Sequence, residues 1–465
     1  MPPNFVFFLI DDLGCTDLGA FGSGFYETPN LDRLCGEGLK FTDAYASCPV
    51  CSPTRASVLS GKYPARVGVT QYIGGHATGK LCDVPYFHQL PESEYSLARA
   101  LKDGGYQTWH VGKWHLGADR CLPQFHGFDE NRGGYNWGRP KHGYFSPYNI
   151  PGFENGPDGE YLTDRLTDEA LQLLEYADRD RPFFLNFWHY TVHTPIQAKE
   201  AHIEHFRQKA ADLGLDQKDP FEEGETFPCN HKRNQRVLRR RFQSNPVYAA
   251  MLRSLDENVG RLIDYLDRNG LRDDTVIVFS SDNGGLATAE GSPTCNAPMA
   301  EGKGWMYEGG NRVPQFMIAP RLTQPGQSTG VPVTSTDFYP TLLELAGLDP
   351  LPHQHCDGVS LVPLLKGADA LERDAIFWHY PHYGNQGDTP ACAIRAGDYK
   401  LIEHFEDGRL ELYNLAEDVS ETYNLADAQP ERVRALHDQL RQWQASVQAP
   451  FPQPNPTWKP QVATN

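Results

Sequence analysis

Carboxylates and an amide lie directly after two predicted strands of the chain. Asp11 and Asp12 follow the apolar run NFVFFLI, and Asp282 and Asn283 follow TVIVFSS. Ligands of open α/β sheets collect beyond the carboxyl ends of the strands, so we expect these four side chains to meet. Their oxygens would suit a hard cation such as calcium or magnesium. Each pair taken alone is also typical of a turn or a helix cap.

Basic side chains lie near the ends of three further segments. Lys113 and His115 stand two apart in GKWHLG, and in extended backbone both would face the same side. HYTVHTP offers His189 and His193, and because no glutamate follows His189 the HExxH zinc helix is excluded. We interpret His189 as structural. Lys303 lies in the glycine-rich stretch EGKGWMYEGG, where the backbone can approach other groups closely.

A cysteine, a proline and an arginine open a predicted helix in CPVCSPTRASVLSGKYP, residues 48–64. They are Cys51, Pro53 and Arg55. Cys48 and Cys51 could instead form a Cys-Pro-Val-Cys redox pair. The remaining pattern of a small thioredoxin-like unit is absent, however, and a redox pair gives Arg55 no purpose. The stretch also lacks the first glycine and the final serine or threonine of a phosphate-binding loop.

The elements that must position these residues follow an alternating pattern. Short runs rich in valine, isoleucine and phenylalanine alternate with amphipathic stretches over the first three quarters of the chain, which is typical of an α/β fold with a parallel sheet covered by helices. The predicted strands are NFVFFLI, YQTWHVG, RPFFLNFW, DDTVIVFSS and VPQFMIAP. The predicted helices are TPNLDRLCGEG, SLARALKDG, LTDEALQLLEYA, YAAMLRSLDENVGRLIDYLDRNG and TDFYPTLLELAG.

The same pattern predicts two domains. The first, residues 1–367, is the α/β domain, and its excursion at about 200–244 has opposite charge blocks and no clean period, which indicates mostly solvated surface. The second, residues 368–465, is a smaller C-terminal α+β domain. Its predicted antiparallel strands lie in AIFWHYP, ACAIRAGDYKLIEHF and RLELYNLAED, its helix in PERVRALHDQLRQWQASV, and a Pro-rich extended tail begins at 451.

Composition limits the partners and the location. The formal net charge of −18 over 465 residues repels nucleic acid and anionic membranes, so we expect neither as a partner, and an anionic substrate needs a local positive pocket. No apolar run reaches the roughly 20 residues of a membrane helix. No secretory signal is visible, so a bacterial periplasm and the cytoplasm both stay open. Ten scattered cysteines predict no disulfide framework.

CSPTRASVLSG resembles the signature of the type I, formylglycine-dependent sulfatases of the alkaline-phosphatase-like superfamily. Further family elements occur in the family's order over roughly residues 4–320: the Asp-Asp pair, Gly-Lys-Trp-His, His-Thr-Pro, Ser-Asp-Asn-Gly-Gly and Lys-x-x-x-x-Glu-Gly-Gly-x-Arg-Val-Pro. The resemblance implies an alkaline-phosphatase-like fold and hydrolysis of sulfate monoesters. It also implies a partner, the maturation enzyme that oxidises the motif cysteine, here Cys51, to Cα-formylglycine. If a cysteine thiolate attacked the sulfate ester, the resulting thiolate–sulfuryl adduct would have no easy route for releasing the sulfate. The hydrate of an aldehyde has two hydroxyl groups, one to attack the sulfur and another to expel the product.

The resemblance implies one calcium ion as the cofactor. Its ligands would be Asp11, Asp12, Asp282, Asn283 and the hydrated formylglycine from Cys51. Asp282 would act as the base and Arg55 would position the hydrate. Lys113 and Lys303 would stabilise the negative charge on the sulfate oxygens.

The remaining roles implied by the resemblance concern proton transfer and support. His193 would protonate the leaving oxygen, and His115 would assist release of the sulfate. Lys62 would support Arg55 and the hydrate from outside the layer of residues that contacts the substrate. Together with the calcium ion, these basic groups would form the positive pocket that the net charge requires.

A sulfated saccharide is the implied substrate. HYTVHTPIQA and HYPHY are similar to bacterial exo-acting sulfatases that act on sulfated galactose or N-acetylgalactosamine. We expect side chains in residues 131–145, including His142, together with His379 and His382, to line a sugar subsite. The alternative is that these are ordinary loop and strand positions.

Two other functions stay open on the sequence alone. A phosphonate monoester hydrolase or phosphodiesterase shares the superfamily fold and can share the Cys-x-Pro-x-Arg motif. A metal-binding pseudo-sulfatase is the non-enzymatic alternative, and it is disfavoured because no expected catalytic position is missing.

Overall fold

Two main sheets and two layers of helices make up the computed structural model, which describes residues 2–459. The strands are β1 (Asn4–Ile10), β2 (Leu39–Phe41), β3 (Ala44–Tyr45), β4 (Gln107–Gly112), β5 (Glu130–Arg132), β6 (Phe183–Trp188), β7 (Phe221–Thr226), β8 (Arg236–Arg240), β9 (Thr275–Ser281), β10 (Gln315–Ile318), β11 (Gln327–Thr329), β12 (Val333–Thr334), β13 (Ile376–Tyr380), β14 (Ala391–Ala396), β15 (Tyr399–His404) and β16 (Leu410–Asn414). The helices are α1 (Pro29–Gly36), α2 (Cys51–Ser60), α3 (Pro64–Val67), α4 (Leu97–Asp103), α5 (Leu162–Glu175), α6 (Glu200–Asp212), α7 (Pro246–Arg268), α8 (Glu308–Asn311), α9 (Phe338–Ala346), α10 (Val362–Leu365) and α11 (Pro430–Ser446).

The larger sheet has eight strands in the order β11-β2-β10-β9-β1-β6-β4-β5. Strands β9, β1, β6, β4 and β5 run parallel to one another, whereas β10 is antiparallel to both of its neighbours. The predicted mostly parallel sheet is confirmed. Because the parallel strands end at one edge, the residues that follow β1, β4, β6 and β9 meet there. The reversed direction of β10 brings the segment that precedes it to the same edge.

Helices cover both faces of this sheet. Val6 and Phe8 of β1 pack with apolar residues of α1, α5, α6 and α7 on one face. Phe5 and Phe7 face the other way and pack with α2, α4 and α9. All four side chains are fully buried, which explains why this strand is apolar throughout instead of alternating with polar residues.

The smaller sheet is antiparallel, with the order β13-β14-β15-β16. Leu436 and Leu440 of α11 pack on one face of it. On its other face Trp378 and Ile402 pack with Tyr45 of β3, which pairs with β12 in a separate two-stranded sheet. The predicted C-terminal antiparallel sheet is confirmed, while the division of the chain at residue 367 stays a prediction.

The segment 200–244 differs from the predicted solvated excursion in its first part. Residues 200–212 form α6, which buries Ile203, Phe206 and Ala210 against the core and packs on α7. Only three of its thirteen residues are buried apolar side chains, so the charged residues between them hide the helical period in the sequence. The later part contains the β7–β8 hairpin, in which Glu222, Glu223, Glu225 and Arg236 are exposed, as the prediction expected.

Residues 451–459 of the predicted Pro-rich tail run beside residues 79–82. Backbone hydrogen bonds join the amide of Cys82 to the carbonyl of Gln453 and the amide of Asn455 to the carbonyl of Lys80. Residues 460–465 of that tail lie outside the described residues. All ten cysteines are free thiols, and no helix among residues 2–459 is long and apolar enough to cross a membrane.

Candidate active site

Four oxygen-bearing side chains meet at the carboxyl ends of β1 and β9. Asp11 and Asp12 follow β1, Asp282 and Asn283 follow β9, and all four are at most 1% exposed. The backbone amide of Asp12 donates to Asp282 Oδ1 at 3.3 Å, and Asn283 Nδ2 donates to Asp12 Oδ1 at 2.9 Å. Asp12 has a φ of 59°, a left-handed conformation that aspartate tolerates, and the chain therefore turns sharply after β1.

Two buried lysines compensate the first two carboxylates. Lys113, which follows β4, places Nζ 2.8 and 2.7 Å from the two oxygens of Asp11. Lys303 places Nζ 2.7 Å from Asp12 Oδ1, and its backbone amide donates to the carbonyl of Gly285. Burial by itself would lower the pKa of Lys303, but the carboxylate of Asp12 raises it above its ordinary value. The Asp12–Lys303 pair is therefore charged.

Cys51 and Arg55 lie one helical turn apart on α2 and so share a face of the helix. Arg55 Nε donates to Asp282 Oδ2 at 2.8 Å, and Nη1 donates to the carbonyl of Lys113 at 2.8 Å. The guanidinium also lies over the ring of Trp188. This geometry explains the Cys-x-Pro-x-Arg spacing, because the arginine fixes the helix to the ends of β4 and β9 while the cysteine points into the site.

The Cys51 thiol is held by a histidine and is not a redox thiol. Its Sγ lies 3.2 Å from His115 Nδ1. Burial raises the pKa of both Cys48 and Cys51, which is the opposite of what an active redox pair needs. The interpretation as a Cys-Pro-Val-Cys redox pair is therefore not supported.

Both predicted catalytic histidines are buried and adjoin the lysines. His193 Nδ1 bonds the carbonyl of Thr194 at 2.7 Å, and Nε2 lies 3.1 Å from Lys303 Nζ. Burial, with help from the charge of Lys303, lowers the pKa of His193 to about 4. Burial and the charge of Lys113 also lower the pKa of His115. Both rings are therefore neutral near pH 7 in this state.

The donor set fits a hard cation. Asn283 Oδ1 and Arg55 Nη2 are buried polar atoms without a hydrogen-bond partner among the described residues. Burial raises the pKa of Asp11 well above its usual range despite Lys113, and the neighbouring carboxylates of Asp282 and Asp12 raise it further. A cation among these oxygens would relieve that repulsion and give the Asn283 oxygen a partner. The carboxylates of Asp11 and Asp12 and the ring of His193 also lie close enough together to hold a metal ion.

A cavity of about 420 Å³ opens onto this cluster. The predicted residues Cys51, His115, His193 and Lys303 line it. The lining residues that were not predicted individually are Tyr72, Ile73, Gly138, Arg139, Lys141, Lys232, Glu290, Asn385 and Gln386. Arg139 and Lys141 fall in the stretch 131–145 that was predicted to meet a sugar, and Asn385 and Gln386 follow HYPHY closely. No local signal marks the other lining residues, because they lie on separate loops.

The predicted sugar subsite needs correction at its three histidines. His382 is fully buried, and its two nitrogens contact Asp83 at 2.7 Å and Thr70 at 2.8 Å. His379 is 4% exposed, and its nitrogens contact the carbonyl of Pro450 and Gln444. Neither can reach a ligand in the cavity. His142 is exposed beside Trp137 but does not line the cavity.

Lys62 also differs from its predicted position. Its Nζ lies 3.0 and 2.7 Å from the two carboxylate oxygens of Glu94. Arg55 is held instead by Asp282 and by the carbonyl of Lys113. Lys62 follows Gly61, whose left-handed conformation ends α2 and turns the chain away from the site. It is therefore a partner of Glu94 and not a support of Arg55.

Comparison with known proteins identifies the family. Residues 3–348, about three quarters of the chain, match the family described as Sulfatase. The chain belongs to the sulfatase family. This sulfatase also matches, over residues 301–446, the family described as N-sulphoglucosamine sulphohydrolase, C-terminal. The family predicted from the sequence is confirmed, and with it the enzyme class, a sulfatase.

Relatives of this sulfatase align over most of its length. It is 31% identical to human N-acetylgalactosamine-6-sulfatase over 430 residues, which cover 87% of this chain and 72% of the relative. It is 30% identical to a sulfatase of Formosa agariphila, with 96% and 90% covered. Among solved structures, Ps i-CgsB in complex with k-i-k-neocarrahexaose superimposes with a TM-score of 0.79 at 27% identity, covering 99% and 96% of the two chains. A phosphonate monoester hydrolase of Agrobacterium radiobacter shares the fold at 21% identity, with a TM-score of 0.64 and 96% of each chain covered.

Proposed function

We propose that this sulfatase removes sulfate from a sulfated saccharide of the galactose or N-acetylgalactosamine type, using a formylglycine formed from Cys51 and one calcium ion. The observation that carries the proposal is the buried cluster of Asp11, Asp12, Arg55, Asp282 and the two lysines at the base of a cavity of about 420 Å³. A sulfate group alone does not fill such a cavity. The names of two relatives, an N-acetylgalactosamine-6-sulfatase and a protein bound to a neocarrahexaose, support a saccharide.

Asp11, Asp12, Asp282 and Asn283 would hold the calcium ion, the last through its unpartnered Oδ1. Bound there, the ion would supply positive charge to the sulfate oxygens and acidify the nucleophile. The hydrated aldehyde would supply one hydroxyl for attack on sulfur and a second for release of the product.

The residues around Cys51 orient the nucleophile. Asp282 has one oxygen fixed by Arg55 and the other by the amide of Asp12, so its carboxylate cannot rotate away from the site. It is the proposed base that takes the proton of the attacking hydroxyl. Arg55 Nη2 is the group available to hold that hydroxyl, because residues 2–459 offer it no hydrogen-bond partner.

The lysines and histidines serve the sulfate and the leaving group. Lys113 and Lys303 place their ammonium groups against the Asp pair, and both, at 0% and 5% side-chain exposure, would donate to sulfate oxygens. His193 Nε2 lies 3.1 Å from Lys303 Nζ, so a proton held at this contact can reach the leaving oxygen of the sugar. His115, beside Cys51, is placed to take a proton when sulfate is released.

The first test is the mass of the proteolytic peptide that contains Cys51, with thiol alkylation as an internal check. We expect the lighter aldehyde after co-expression with a formylglycine-generating enzyme. That protein should release sulfate from N-acetylgalactosamine or galactose monosulfates, and Asp282→Asn should abolish the release. A Cys51 that stays alkylatable after co-expression would contradict the proposed nucleophile.

The substrate class is tested separately on the matured protein. Hydrolysis of an aryl sulfate without any release from a panel of sulfated sugars would refute the saccharide. Faster hydrolysis of a phosphate diester or phosphonate monoester than of any sulfate ester would favour that alternative activity instead. A matured protein that binds calcium but hydrolyses none of these would be a pseudo-sulfatase.

A further inference from the structure

We infer that the substrate carries a second anionic group beside the scissile sulfate, and that Arg139, Lys141 and Lys232 bind it. We call these three residues the cationic rim; all three line the cavity above Cys51. The inference rests on the proposed saccharide substrate and narrows it to sugars with two negative groups. The second group can be a sulfate or a carboxylate, since both present oxygens to arginine and lysine.

Two rim residues are placed next to the catalytic cluster by a close backbone contact. At Gly138 a Cβ atom would lie 2.6 Å from the ring carbon Cε1 of His115, so only glycine lets the loop rest on that ring. Arg139 follows immediately, and Lys141 places its ammonium 4.9 Å from the centre of the Trp137 ring. Both cations are therefore part of the wall that begins at His115.

The third rim residue comes from the loop between β7 and β8 and is also fixed. Lys232 Nζ donates to the carbonyl of Asn385 at 2.7 Å, and His231 Nε2 lies 2.8 Å from Asn385 Oδ1. An ammonium group has three donors, so two remain for a ligand. Asn385 and the adjacent Gln386 line the same cavity. The rim thus joins loops that are far apart in sequence.

The charge balance of the cavity favours an anion. Among the lining residues the carboxylate is Glu290, and it accepts from Thr194 Oγ1 at 3.1 Å and from Gln386 Nε2 at 3.3 Å. Within residues 2–459, no ion pair joins a rim residue to a carboxylate. The chain has 60 acidic and 42 basic residues, so carboxylates are in excess. Three basic side chains without carboxylate partners around one cavity therefore indicate a ligand that supplies the negative charge.

The test compares wild type with a triple variant that combines Arg139→Gln, Lys141→Gln and Lys232→Gln. In both proteins, sulfated sugars compete with an aryl sulfate that the enzyme hydrolyses. Inhibition constants are measured for N-acetylgalactosamine monosulfate, its disulfate, and a disaccharide that adds a uronate to the monosulfated sugar. Inhibition reports binding whether or not a sugar is turned over. Lys218→Gln, which removes an exposed cation outside the cavity, is the matched control.

We expect wild type and Lys218→Gln to bind at least one of the two dianionic sugars about tenfold more tightly than the monosulfate, with a preference that falls as salt is added. The triple variant should lose that preference. Tight binding of the disulfate alone or of the uronate alone identifies the second group. Equal binding of all three sugars by wild type, or a preference that survives in the triple variant, would overturn the inference. Failure of the saccharide proposal is distinct, because it appears as aryl sulfate hydrolysis without release from any sugar.

Discussion

Replacing Arg55 by methionine tests how the helix that carries Cys51 is held. The side chains of Arg55 and Asp282 are both fully buried and lie 2.8 Å apart. Methionine keeps most of the volume of the arginine stem, so the main change is the loss of charge and of two hydrogen bonds. Asp282 would then be a buried carboxylate without its cation, and the carbonyl of Lys113 would lose a donor. Breaking a buried pair from one side costs about 3–5 kcal/mol.

A double-mutant cycle separates this pair from general damage. We would measure thermal and urea unfolding of wild type, Arg55→Met, Asp282→Asn and the double variant, with EDTA present so that no bound metal contributes. In the double variant the remaining amide is neutral, so the loss of Arg55 should cost less there, with a coupling of about 2 kcal/mol. Arg321→Met is the control, because its pair with Asp274 is exposed and should contribute less than about 1 kcal/mol.

Additive effects in this cycle would refute the reasoning. If the cost of Arg55→Met were the same with Asp282 and with Asn at that position, the contact would carry no specific energy. The position of α2 would then depend on packing against Trp188 and the sheet alone. A full 3–5 kcal/mol loss with strong coupling would instead explain why arginine is required four residues after the cysteine.

Three further predictions concern other residues. Lys62→Ala should leave turnover unchanged but lower stability by about 1–3 kcal/mol in urea unfolding, since Lys62 pairs with Glu94 and the two side chains are only 15% and 10% exposed. Burial lowers the pKa of His189 to about 3. As the pH falls below about 6.5 the unfolded chain takes up a proton before the folded protein does, so the free energy of unfolding should fall by about 2 kcal/mol at pH 5. His189→Phe, beside Phe187, should reduce this loss in a profile of Tm against pH. Calcium should raise the Tm of wild type, and Asn283→Ala should reduce that shift in a calcium titration.

The sequence predicted the sheet and the buried cluster because both depend on short patterns. The apolar run before Asp11 and the run before Asp282 predict strands whose carboxyl ends share an edge, and the structure brings both aspartates to one place. The family motifs then supplied the residues that periodicity cannot find. Lys303 is an example, because it follows no strand and reaches the site only because β10 is antiparallel to β9.

The errors have a common physical cause. Residue type does not reveal what a side chain bonds to when its partner comes from a distant segment. His382 looked available for a sugar, but Asp83 and Thr70, about 300 residues earlier, occupy both of its nitrogens. The cavity lining was equally hidden, since Lys232 and Glu290 lie on loops without any period. Such positions follow from the folded arrangement of loops and not from local pattern.

Helix α2 shows why the Cys-x-Pro-x-Arg motif was more informative than the hydrophobic periodicity of this segment. All ten residues, Cys51–Ser60, are buried, yet they include four hydroxyl groups and an arginine. Amphipathicity would not place such a helix in a core. Two of its hydroxyls bind neighbouring segments: Ser52 donates to the carbonyl of His115 and accepts from the amide of Ile73, and Thr54 donates to the carbonyl of Cys48. The polar residues thus tie the helix to the walls of the cavity. A buried helix that keeps polar groups in order to hold its neighbours is expected where one residue, Cys51, must be positioned for chemistry.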